Sequence, residues 1–591
     1  MGECMFKRLN LEGMWLLLIF TSAFFMSTII PPLQSPDEAD HVRRAYFLTQ
    51  GVIILDKSGG NSGGLLDTGL QAFMNAYVVY PGQPSHKLSS DERDFANNIK
   101  WTGRSSFADA PGTGYYFPLI YTPQAVGLII GKILDLTVFD SYRLSRFFSL
   151  LAITGLLYFS LKLYKISPLA IAFLILPMSL FQLASASLDG ISIGVAIFAI
   201  SIFMKLSEDR QSSDNRLFYF LCLSLILLVT SRAYLVPLLL MPLFLAFVTK
   251  RKIFYYVSIL TIFFSLAWLA IAIGSTVDTR VTRNISTGSA VYLYLSNPLE
   301  FIKIFIHTIP GFYKFYINSF IGMLGALDTV FKPVVYICIS YFLVFVALCS
   351  FSVEAIKNNL KNRLFLLFSS FVSILIIFFA LLVTWTPHPA EYILGVQGRY
   401  FLIPLLLAAY AISPGGWAKY KSLDNIGMLA VIVFWLFSVA LTSESILGRY
   451  YITDFNTKQS PVATHPSAPL DINTPIVIQL KDVKDGSQQV LKSIGINLAT
   501  WARSNTGMAN LQMITASGDE FNEKFNLEDV KDNAYKFFDL PLGTYISARI
   551  TAFEGGGIST WEAHSDGRID TCVVFVYEAG ITRYVPGCPR D

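Results

Sequence analysis

A cluster of ionisable side chains follows the first apolar segment of the chain and has the residue types for acid–base and phosphate-binding chemistry. The apolar segment runs from Gly13 to Ile30. The eight residues 37–44 then contain three carboxylates, one imidazole and two guanidinium groups: Asp37, Glu38, Asp40, His41, Arg43 and Arg44. Carboxylates take up and release protons in catalysis, and arginine binds phosphate through two parallel hydrogen bonds. Because ionisable groups are costly at a membrane boundary, such a density of them indicates a functional site.

A structural interpretation of the same cluster is a helix start. Ser35 or Asp37 would cap a helix that begins at Glu38, and the acidic residues would lie in its first turn. The two interpretations are compatible, because a residue at a helix start can also face a site.

Asp189 is the second candidate and lies between two apolar segments, within the serine-rich residues 184–190. A lone carboxylate in this position is costly unless it is solvated or paired. It would either orient an acceptor and assist the Asp37 site, or cap a helix.

Two later arginines are candidates for binding a phosphate. Arg399 follows Gln397 in the glycine-containing stretch 395–401, directly before an apolar segment. A helix start with glycine amides beside it favours anion binding, whereas the alternative is an interfacial anchor. Arg232 is the basic residue of a short loop between two apolar segments, and phosphate binding and anchoring are equally open for it.

The elements that position these residues are membrane helices. Over 591 residues, 53% hydrophobic content and a mean hydropathy of +0.52 argue against a soluble globular protein. Apolar segments long enough to cross a hydrocarbon core of roughly 30 Å recur along the chain. We predict eleven spans, at residues 13–31, 145–163, 168–186, 189–206, 217–232, 234–249, 253–273, 333–352, 364–384, 400–413 and 424–442.

Basic residues orient this bundle. Lys7 and Arg8 precede the first span, which predicts a cytoplasmic N-terminus. Later basic clusters mark further cytoplasmic turns: Lys162/Lys165, Lys205/Arg210/Arg216, Lys250/Arg251/Lys252, Lys357/Lys361/Arg363 and Lys419/Lys421. The cluster at 37–44, the other candidates and the C-terminus then lie outside. If the apolar segment 116–134 crossed the membrane, all later basic clusters would lie on the outer face. We therefore predict that this segment is an interfacial or re-entrant helix on the outer face. The net charge of +4 gives no reason to expect a nucleic-acid partner.

The chain divides into two predicted domains. Residues 1–443 form the all-α membrane domain, in which residues 32–143 are the first external loop and residues 298–325 form an amphipathic interfacial helix. Residues 444–591 contain short β-branched runs separated by turn residues, which predicts an external all-β sandwich. Cys572 and Cys588 both lie in this second domain, so a disulfide between them is expected in an oxidising compartment.

The membrane domain resembles the GT-C class of glycosyltransferases, and more closely a bacterial family of predicted multi-pass membrane proteins. The resemblance covers about residues 10–415 and depends on the order of five motifs, at residues 36–45, 116–125, 187–189, 322–329 and 397–401. It implies transfer of a sugar from a polyprenyl-phosphate donor on the outer face of the membrane. It also implies that Asp37 or Glu38 is the catalytic acid of the first external loop and that Asp189 is the second acidic residue. No cofactor is expected. A paired-acid metal motif does not accompany Asp189, so a divalent metal is possible but not indicated. The C-terminal domain resembles, more weakly, a jelly-roll or carbohydrate-binding sandwich.

The leading hypothesis is an inverting glycosyltransferase of the bacterial inner membrane, with its C-terminal domain in the periplasm. It would move a sugar from a polyprenyl-phosphate donor onto an O-antigen, lipopolysaccharide or other envelope glycan. The predicted catalytic residues are Asp37 and Glu38, supported by Asp189, His41 and Asp40, with Arg399, Arg43, Arg44, Arg232 and Gln397 binding the donor phosphate.

Two other classes of function compete with this hypothesis. A transporter or flippase of lipid-linked sugars would concentrate polar groups near the bilayer midplane and show repeat symmetry, whereas here the ionisable groups lie at the edges of spans. A non-catalytic envelope protein would instead use the β domain to bind glycan.

Overall fold

The structure is a computed structural model that forms two compact units. It describes residues 11–83, 86–208, 215–280, 284–413, 421–452, 463–472, 474–480, 490–501, 505–515, 517–565, 568–578, 582–585 and 588. One unit comprises Met1–Pro81 with Lys87–Ile452, and the other comprises Gly82–His86 with Thr453–Asp591. The predicted domain boundary at 443/444 falls inside a long helix that continues to Tyr450.

The first unit is helical. Its helices are α1 (Leu11–Ile29), α2 (Glu38–Thr49), α3 (Thr68–Tyr77), α4 (Ser90–Asn97), α5 (Thr122–Ile133), α6 (Val138–Leu163), α7 (Pro168–Leu174), α8 (Pro177–Leu183), α9 (Leu188–Glu208), α10 (Asn215–Ser231), α11 (Leu240–Thr249), α12 (Lys252–Ser275), α13 (Thr287–Ser296), α14 (Pro298–Gly322), α15 (Pro333–Ser350), α16 (Val353–Asn358), α17 (Leu360–Thr384), α18 (Leu402–Ile412) and α19 (Lys421–Tyr450).

Six of the described helices are long and apolar enough to cross a membrane: Val138–Leu163, Leu188–Glu208, Lys252–Ser275, Pro333–Ser350, Leu360–Thr384 and Leu429–Tyr450. Four shorter apolar helices coincide with further predicted spans: Gly13–Ile29, Asn215–Ser231, Ala233–Thr249 and Gly398–Ile412. The helical membrane-protein class is therefore confirmed, while the count of eleven spans stays a prediction. Lys7, Arg8, Arg210 and Lys419, which contribute to the predicted orientation, lie outside the described residues.

The predicted span 168–186 is broken into α7 and α8. Pro177 has no amide hydrogen to continue the helical ladder, and the Phe173 carbonyl instead accepts a hydrogen bond from the Ser179 hydroxyl at 2.6 Å. Every residue of α8 is buried. A helix that is apolar on all sides is a core element as readily as a span, which explains why hydropathy alone does not predict this break.

Two segments predicted to lie at the interface form separate helices. Segment 116–134 contains α5, whose 12 residues give a length of about 18 Å, too short to cross a core of roughly 30 Å. The amphipathic segment 298–325 contains α14, which begins at Pro298 and ends at Gly322.

A small antiparallel sheet organises the loop between α2 and α5. Its strands are β1 (Asp56–Gly59), β2 (Asn61–Asp67) and β3 (Ser105–Asp109), in the order β1-β2-β3. The hydroxyl of Ser62 in β2 accepts a hydrogen bond from the backbone amide of Val277 at 2.8 Å. This bond ties the first loop to the segment that follows α12.

The second unit is built from antiparallel strands, which confirms a C-terminal β-sheet region. The strands are β4 (Ala463–Pro466), β5 (Ile476–Gln479), β6 (Leu491–Ala499), β7 (Gly507–Thr515), β8 (Glu520–Asn526), β9 (Ala534–Gly543), β10 (Tyr545–Gly555), β11 (Ser559–Ser565), β12 (Arg568–Thr571), β13 (Val573–Tyr577) and β14 (Thr582–Tyr584). One sheet has the order β5-β10-β7-β8. The other has the order β12-β11-β6-β13-β14, with β4 paired to β11 and β9 paired to β6. One hydrophobic core contains residues of both sheets, including Leu511 and Ile494; the jelly-roll arrangement stays a prediction.

A disulfide joins Cys572 and Cys588, which are 16 residues apart in sequence. Closing a loop of this size stabilises a fold by about 3 kcal/mol through the entropy of the unfolded chain. We therefore expect the Cys572→Ser/Cys588→Ser protein to lose protease resistance in residues 453–591 while the helical unit stays intact. Limited proteolysis with fragment mass mapping measures this. Equal resistance of the variant and the wild type would contradict the expectation, and addition of reductant to the wild type is the matched control.

Candidate active site

The turn between α1 and α2 gives Asp37 an accessible carboxylate. Pro31 and Pro32 follow the end of α1, where proline cannot continue a helix. Asp37 then adopts a left-handed conformation (φ 61°, ψ 6°) at the N-cap of α2, and its side chain makes no capping hydrogen bond. A non-glycine residue held at positive φ is strained, and such strain is found at functional sites. Asp37 thus occupies the cap position while its carboxylate remains available for other partners.

Glu38, the next residue, is fully buried and structural. Its carboxylate accepts hydrogen bonds from the Tyr142 hydroxyl at 2.7 Å and from the Ala186 amide at 2.8 Å. It also accepts two from the Arg146 guanidinium, both at 3.2 Å. These bonds connect the start of α2 to α6 and to the loop before α9. The geometry therefore speaks against Glu38 as a catalytic residue, because every approach to its carboxylate is occupied by protein donors.

Four of the sequence candidates contact one another in a row of alternating charges, Asp37–Arg399–Asp189–Arg232, which we call the charge chain. The Arg399 Nη2 lies 2.5 Å from the Asp37 Oδ2, and the Arg399 Nη1 lies 3.0 Å from the Asp189 Oδ2. The other oxygen of Asp189 pairs with the Arg232 guanidinium. Asp189 is in the first turn of α9, where the helix dipole favours a negative charge. Arg232 directly follows α10, and Arg399 lies in a 3₁₀ turn that leads into α18. The four residues therefore meet because the ends of four helices converge.

Only one member of this chain is accessible. The side chain of Asp37 is 56% exposed, whereas those of Arg399, Asp189 and Arg232 are 3%, 10% and 7% exposed. Asp37 faces a cavity of about 230 Å³. The described residues that line the cavity are Asp37, Asp40, His41, Gly112, Thr113, Tyr115, Tyr116, Arg232, Asp278, Arg280, Leu381, Thr384, Trp385, Gly395, Gln397, Arg399 and Tyr400.

Electrostatics keep Asp37 ionised. Burial is the largest single influence on Asp37 and raises its pKa, but Arg399, by charge and by hydrogen bond, together with His41 and Arg280 outweighs it and lowers the pKa to about 2. The site therefore presents a carboxylate at neutral pH, and its strongest stabilising partner is Arg399.

Asp40 and His41 also line the cavity but have different partners. Burial raises the pKa of Asp40, and this shift is partly offset by Arg43 at 2.8 Å and Arg280 at 3.6 Å. Burial lowers the pKa of His41 to about 3, so its imidazole is neutral at pH 7. The Nδ1 atom of His41 lies 2.8 Å from the Tyr121 hydroxyl. Among the described contacts, neither side chain makes a hydrogen bond to a side chain of the charge chain, and both line the cavity.

Arg43 and Arg44 do not lie where the sequence predicts. Arg43 pairs with Asp40 and is not among the described residues that line the cavity. Arg44 is fully buried and donates to the carbonyl oxygens of Ile53 at 2.7 Å and Tyr116 at 3.2 Å. Neither side chain is among the described residues that line the cavity, so the geometry speaks against them as phosphate-binding groups.

Within the stretch 395–401, the side chain of Gln397 positions Arg399. The Gln397 Oε1 accepts a hydrogen bond from the Arg399 Nε at 2.7 Å, which orients the guanidinium. The Gly398 amide donates to the Ser319 hydroxyl at 2.8 Å, and a Cβ atom here would come within 2.2 Å of the α14 backbone. Gly395 has a φ of +79° and lies against Trp385. The Gly398 amide is thus already bonded to Ser319, whereas phosphate binding by the Gly395 amide stays a prediction.

The sequence interpretation missed Asp278 and Arg280. The two side chains pair at 2.7 Å, and Arg280 is 37% exposed at the cavity. They lie just after α12, between the predicted spans 253–273 and 333–352. A carboxylate and a guanidinium two residues apart, directly beyond a span, is a signal that was available for this assignment.

This arrangement can bind an anion next to a base. Arg232 and Arg399 carry positive charge in a partly dehydrated cavity, and arginine is well suited to bind phosphate and carboxylate ligands. The accessible Asp37 carboxylate can accept a proton from a hydroxyl group brought within hydrogen-bonding distance. Within the described residues, no group of three or more His, Cys, Asp or Glu side chains is arranged to hold a metal ion.

Comparison with known proteins identifies a family. No curated protein matches the chain. Among solved structures, the crystal structure of ArnT from Cupriavidus metallidurans bound to undecaprenyl phosphate is 11% identical, with a TM-score of 0.23, and the match covers 74% of this chain and 77% of that chain. The resemblance to a family of multi-pass membrane proteins is confirmed by a family model that matches residues 18–409. The chain belongs to the family described as predicted membrane protein DUF2142.

Proposed function

We propose that the protein is a membrane glycosyltransferase that moves a sugar from a polyprenyl-phosphate donor to a hydroxyl group of a cell-envelope glycan. The observation that carries the proposal is the Asp37 cavity, where one accessible carboxylate lies beside two buried arginines. A sugar transfer of this kind needs one group that removes a proton and another that binds a departing phosphate. The cavity supplies both within one chain of contacts.

The reaction is a single displacement. The Asp37 carboxylate takes the proton of the acceptor hydroxyl, and the acceptor oxygen forms a bond to the anomeric carbon of the donor sugar. The bond from that carbon to the phosphate oxygen breaks, and its electron pair leaves with the polyprenyl phosphate. Attack opposite to the leaving group inverts the anomeric configuration. The negative charge that develops on the phosphate is stabilised by Arg399 and Arg232.

Asp189 has a positioning role in this scheme. It lies between the two guanidinium groups and accepts a hydrogen bond from each. Two positive side chains would otherwise repel each other in a buried setting. Asp189 therefore allows both arginines to point at one ligand.

The donor phosphate and Asp37 would compete for the Nη2 atom of Arg399. In the ligand-free protein the Nη2 of Arg399 is bonded to Asp37. A phosphate oxygen that takes this Nη2 frees the carboxylate and removes the main cause of its low pKa. A carboxylate with a higher pKa is a stronger base, so donor binding prepares Asp37 for proton removal.

The surroundings of the cavity fit a lipid-linked donor. Leu381, Thr384 and Trp385 line it, and they are at the end of α17, one of the helices long enough to span. A polyprenyl chain in the bilayer could therefore place its phosphate here. We further propose the outer face of the bacterial inner membrane as the location, with the N-terminus cytoplasmic and the β-sheet unit periplasmic. An O-antigen or related surface polysaccharide is the proposed acceptor, and no metal is proposed.

Transfer can be tested in proteoliposomes that contain a polyprenyl-phosphate-linked hexose. The acceptor is surface glycan isolated from a deletion strain, which would lack the added sugar. The expected products are free polyprenyl phosphate and a glycan heavier by one hexose, measured by mass spectrometry and linkage analysis. An unchanged surface glycan in the deletion strain, together with no release of polyprenyl phosphate, would refute the proposal.

The role of Arg399 gives a second measurement on the same preparation. We expect Arg399→Lys to weaken binding of undecaprenyl phosphate about 10- to 100-fold, because lysine cannot replace the fork that contacts two carboxylates and one or two charge-assisted hydrogen bonds are lost. Isothermal titration in detergent measures the affinity. Arg43→Lys is the matched control, since Arg43 is outside the cavity lining, and an equal loss in both variants would contradict the assignment.

A further inference from the structure

A second concave site lies at the ends of α1 and α6, apart from the Asp37 cavity. Two adjoining cavities of about 370 and 400 Å³ share four lining residues, Ser27, Thr28, Arg143 and Arg146. The cavity of about 370 Å³ is also lined by Arg93 of α4. We call this combined surface the arginine groove. It has no lining residue in common with the Asp37 cavity, and its volume is in the range of small-molecule sites.

The arginine groove carries uncompensated positive charge. Arg93 and Arg143 are exposed, and among the described residues no carboxylate lies within ion-pairing distance of either. Arg146 is buried at the bottom of the groove and pairs with Glu38. Asp140 is the acidic residue of the lining, and it accepts a hydrogen bond from Thr137 at the start of α6. Because Glu38 compensates Arg146, Arg93 and Arg143 against Asp140 leave the groove with a net positive charge.

The position of the groove adds an apolar side to this charge. It lies at the last turn of α1 and in the first turns of α6, where two membrane helices end and begin. Phe24 and Phe147 both line it and are 44% and 37% exposed, and Leu151, one turn further along α6, is 48% exposed. An arginine that only anchors a helix at the membrane interface extends its long side chain from the helix surface and needs no cavity. The presence of a cavity therefore favours a ligand over simple anchoring. A cavity with cations above and exposed apolar rings below is complementary to an amphiphile with an anionic head.

We propose that the arginine groove binds an anionic phospholipid of the surrounding bilayer, with its phosphate between Arg93 and Arg143 and its acyl chain along Phe24 and Phe147. This proposal is independent of the transfer reaction. Bulk phospholipid is favoured over a substrate because the groove is lined by exposed apolar rings and shares no residue with the candidate active site. The Arg146 Nη1 donates to the carbonyl oxygens of Ser27 at 3.1 Å and Ile30 at 2.8 Å. The lipid would therefore lie against the turn that leads to Asp37.

The test uses the full-length protein in nanodiscs of phosphatidylcholine with either photoreactive phosphatidylglycerol or photoreactive phosphatidylcholine as a minor component. Crosslinked peptides are mapped by mass spectrometry. We expect phosphatidylglycerol to label the peptides around residues 24–32 and 139–147 preferentially. An arginine near an anionic lipid contributes about 1 kcal/mol, so Arg93→Gln/Arg143→Gln should reduce this preference by about 30-fold. Both side chains are exposed, and size-exclusion chromatography checks that the variant remains folded.

The matched control is Lys132→Gln/Lys303→Gln, which removes two exposed cations elsewhere on the helical unit. The control should keep the preference of the wild type. Three results would overturn the proposal: no preference in the wild type, an equal loss in the control, or an unchanged preference in the arginine variant. Displacement of phosphatidylglycerol from these peptides by undecaprenyl phosphate at equal concentration would also overturn it, since the occupant would then be a polyprenyl lipid.

Discussion

Asp37→Asn is expected to reduce sugar transfer by about 10²- to 10⁴-fold, the range in which a positioned general base contributes. An amide cannot take the proton of the acceptor hydroxyl. Asparagine tolerates the left-handed conformation of this position as well as aspartate does, and the Asp37 side chain makes no capping bond. The variant should therefore fold, and the loss should appear in the rate of polyprenyl-phosphate release measured in proteoliposomes.

The same variant should bind undecaprenyl phosphate at least as tightly as the wild type, because the Nη2 of Arg399 no longer has a carboxylate partner. Asp40→Asn is the matched control: it removes one charge from the same cavity, but Asp40 pairs with Arg43 and Arg280 instead. A gain in affinity confined to Asp37→Asn supports the exchange of Asp37 for phosphate. An equal gain in affinity in both variants would mean that the change in net charge of the cavity explains the effect. Full transfer activity in Asp37→Asn would remove Asp37 as the base.

The residues that converge in the candidate site were predictable because each lies at the end of an apolar segment. Asp37, Asp189, Arg232 and Arg399 all come from positions where hydropathy changes sharply, and the positive-inside trend places those ends on one face. The sequence does not state which end contacts which. The order Asp37–Arg399–Asp189–Arg232 depends on how four helix ends pack, which is a property of the tertiary structure.

The roles of neighbouring residues were not predictable for a related reason. Asp37 and Glu38 are chemically alike and adjacent, yet a left-handed residue at the start of α2 directs one carboxylate to the cavity and the other into the core. Arg44 is one residue from Arg43 and lies in the interior on backbone carbonyls. A helix turns about 100° per residue, so consecutive charged side chains on α2 point in different directions. Charge density identified the region, while the backbone conformation assigned the roles.

Segment 168–186 shows the limit of hydropathy as a guide to the fold. Its composition satisfies the criterion for a span, but Pro168 and Pro177 start two short helices and the neighbouring helices enclose them. Apolar residues are selected equally by lipid and by a protein interior. The difference becomes visible only when the partners of the segment are known.

Glu38→Ala is expected to destabilise the helical unit strongly, in contrast to the mild effect of Asp37→Asn at the adjacent position. The substitution leaves the Arg146 guanidinium buried at 3% exposure without its carboxylate, and it removes the acceptor of the Tyr142 hydroxyl and the Ala186 amide. Breaking a buried pair by removing one partner costs about 3–5 kcal/mol. We expect a clear fall in the midpoint of thermal unfolding and in the yield of monodisperse protein, measured by intrinsic fluorescence and size-exclusion chromatography.

A double variant separates the charge from the contacts. In Glu38→Gln/Arg146→Met the buried charges disappear together, and the amide oxygen of glutamine can still accept from Tyr142 or Ala186. Replacing both members of a buried pair is often close to neutral, so this protein should regain much of the thermal stability that Glu38→Ala loses. If the single and double variants unfold at the same temperature, hydrogen bonds and not the unpaired charge of Arg146 account for the loss, either those that Glu38 accepts or those that Arg146 donates to the carbonyl oxygens of α1 and the following turn. If Glu38→Ala is as stable as the wild type but inactive in transfer, Glu38 acts in the chemistry and its assignment as the structural partner of Arg146 is wrong.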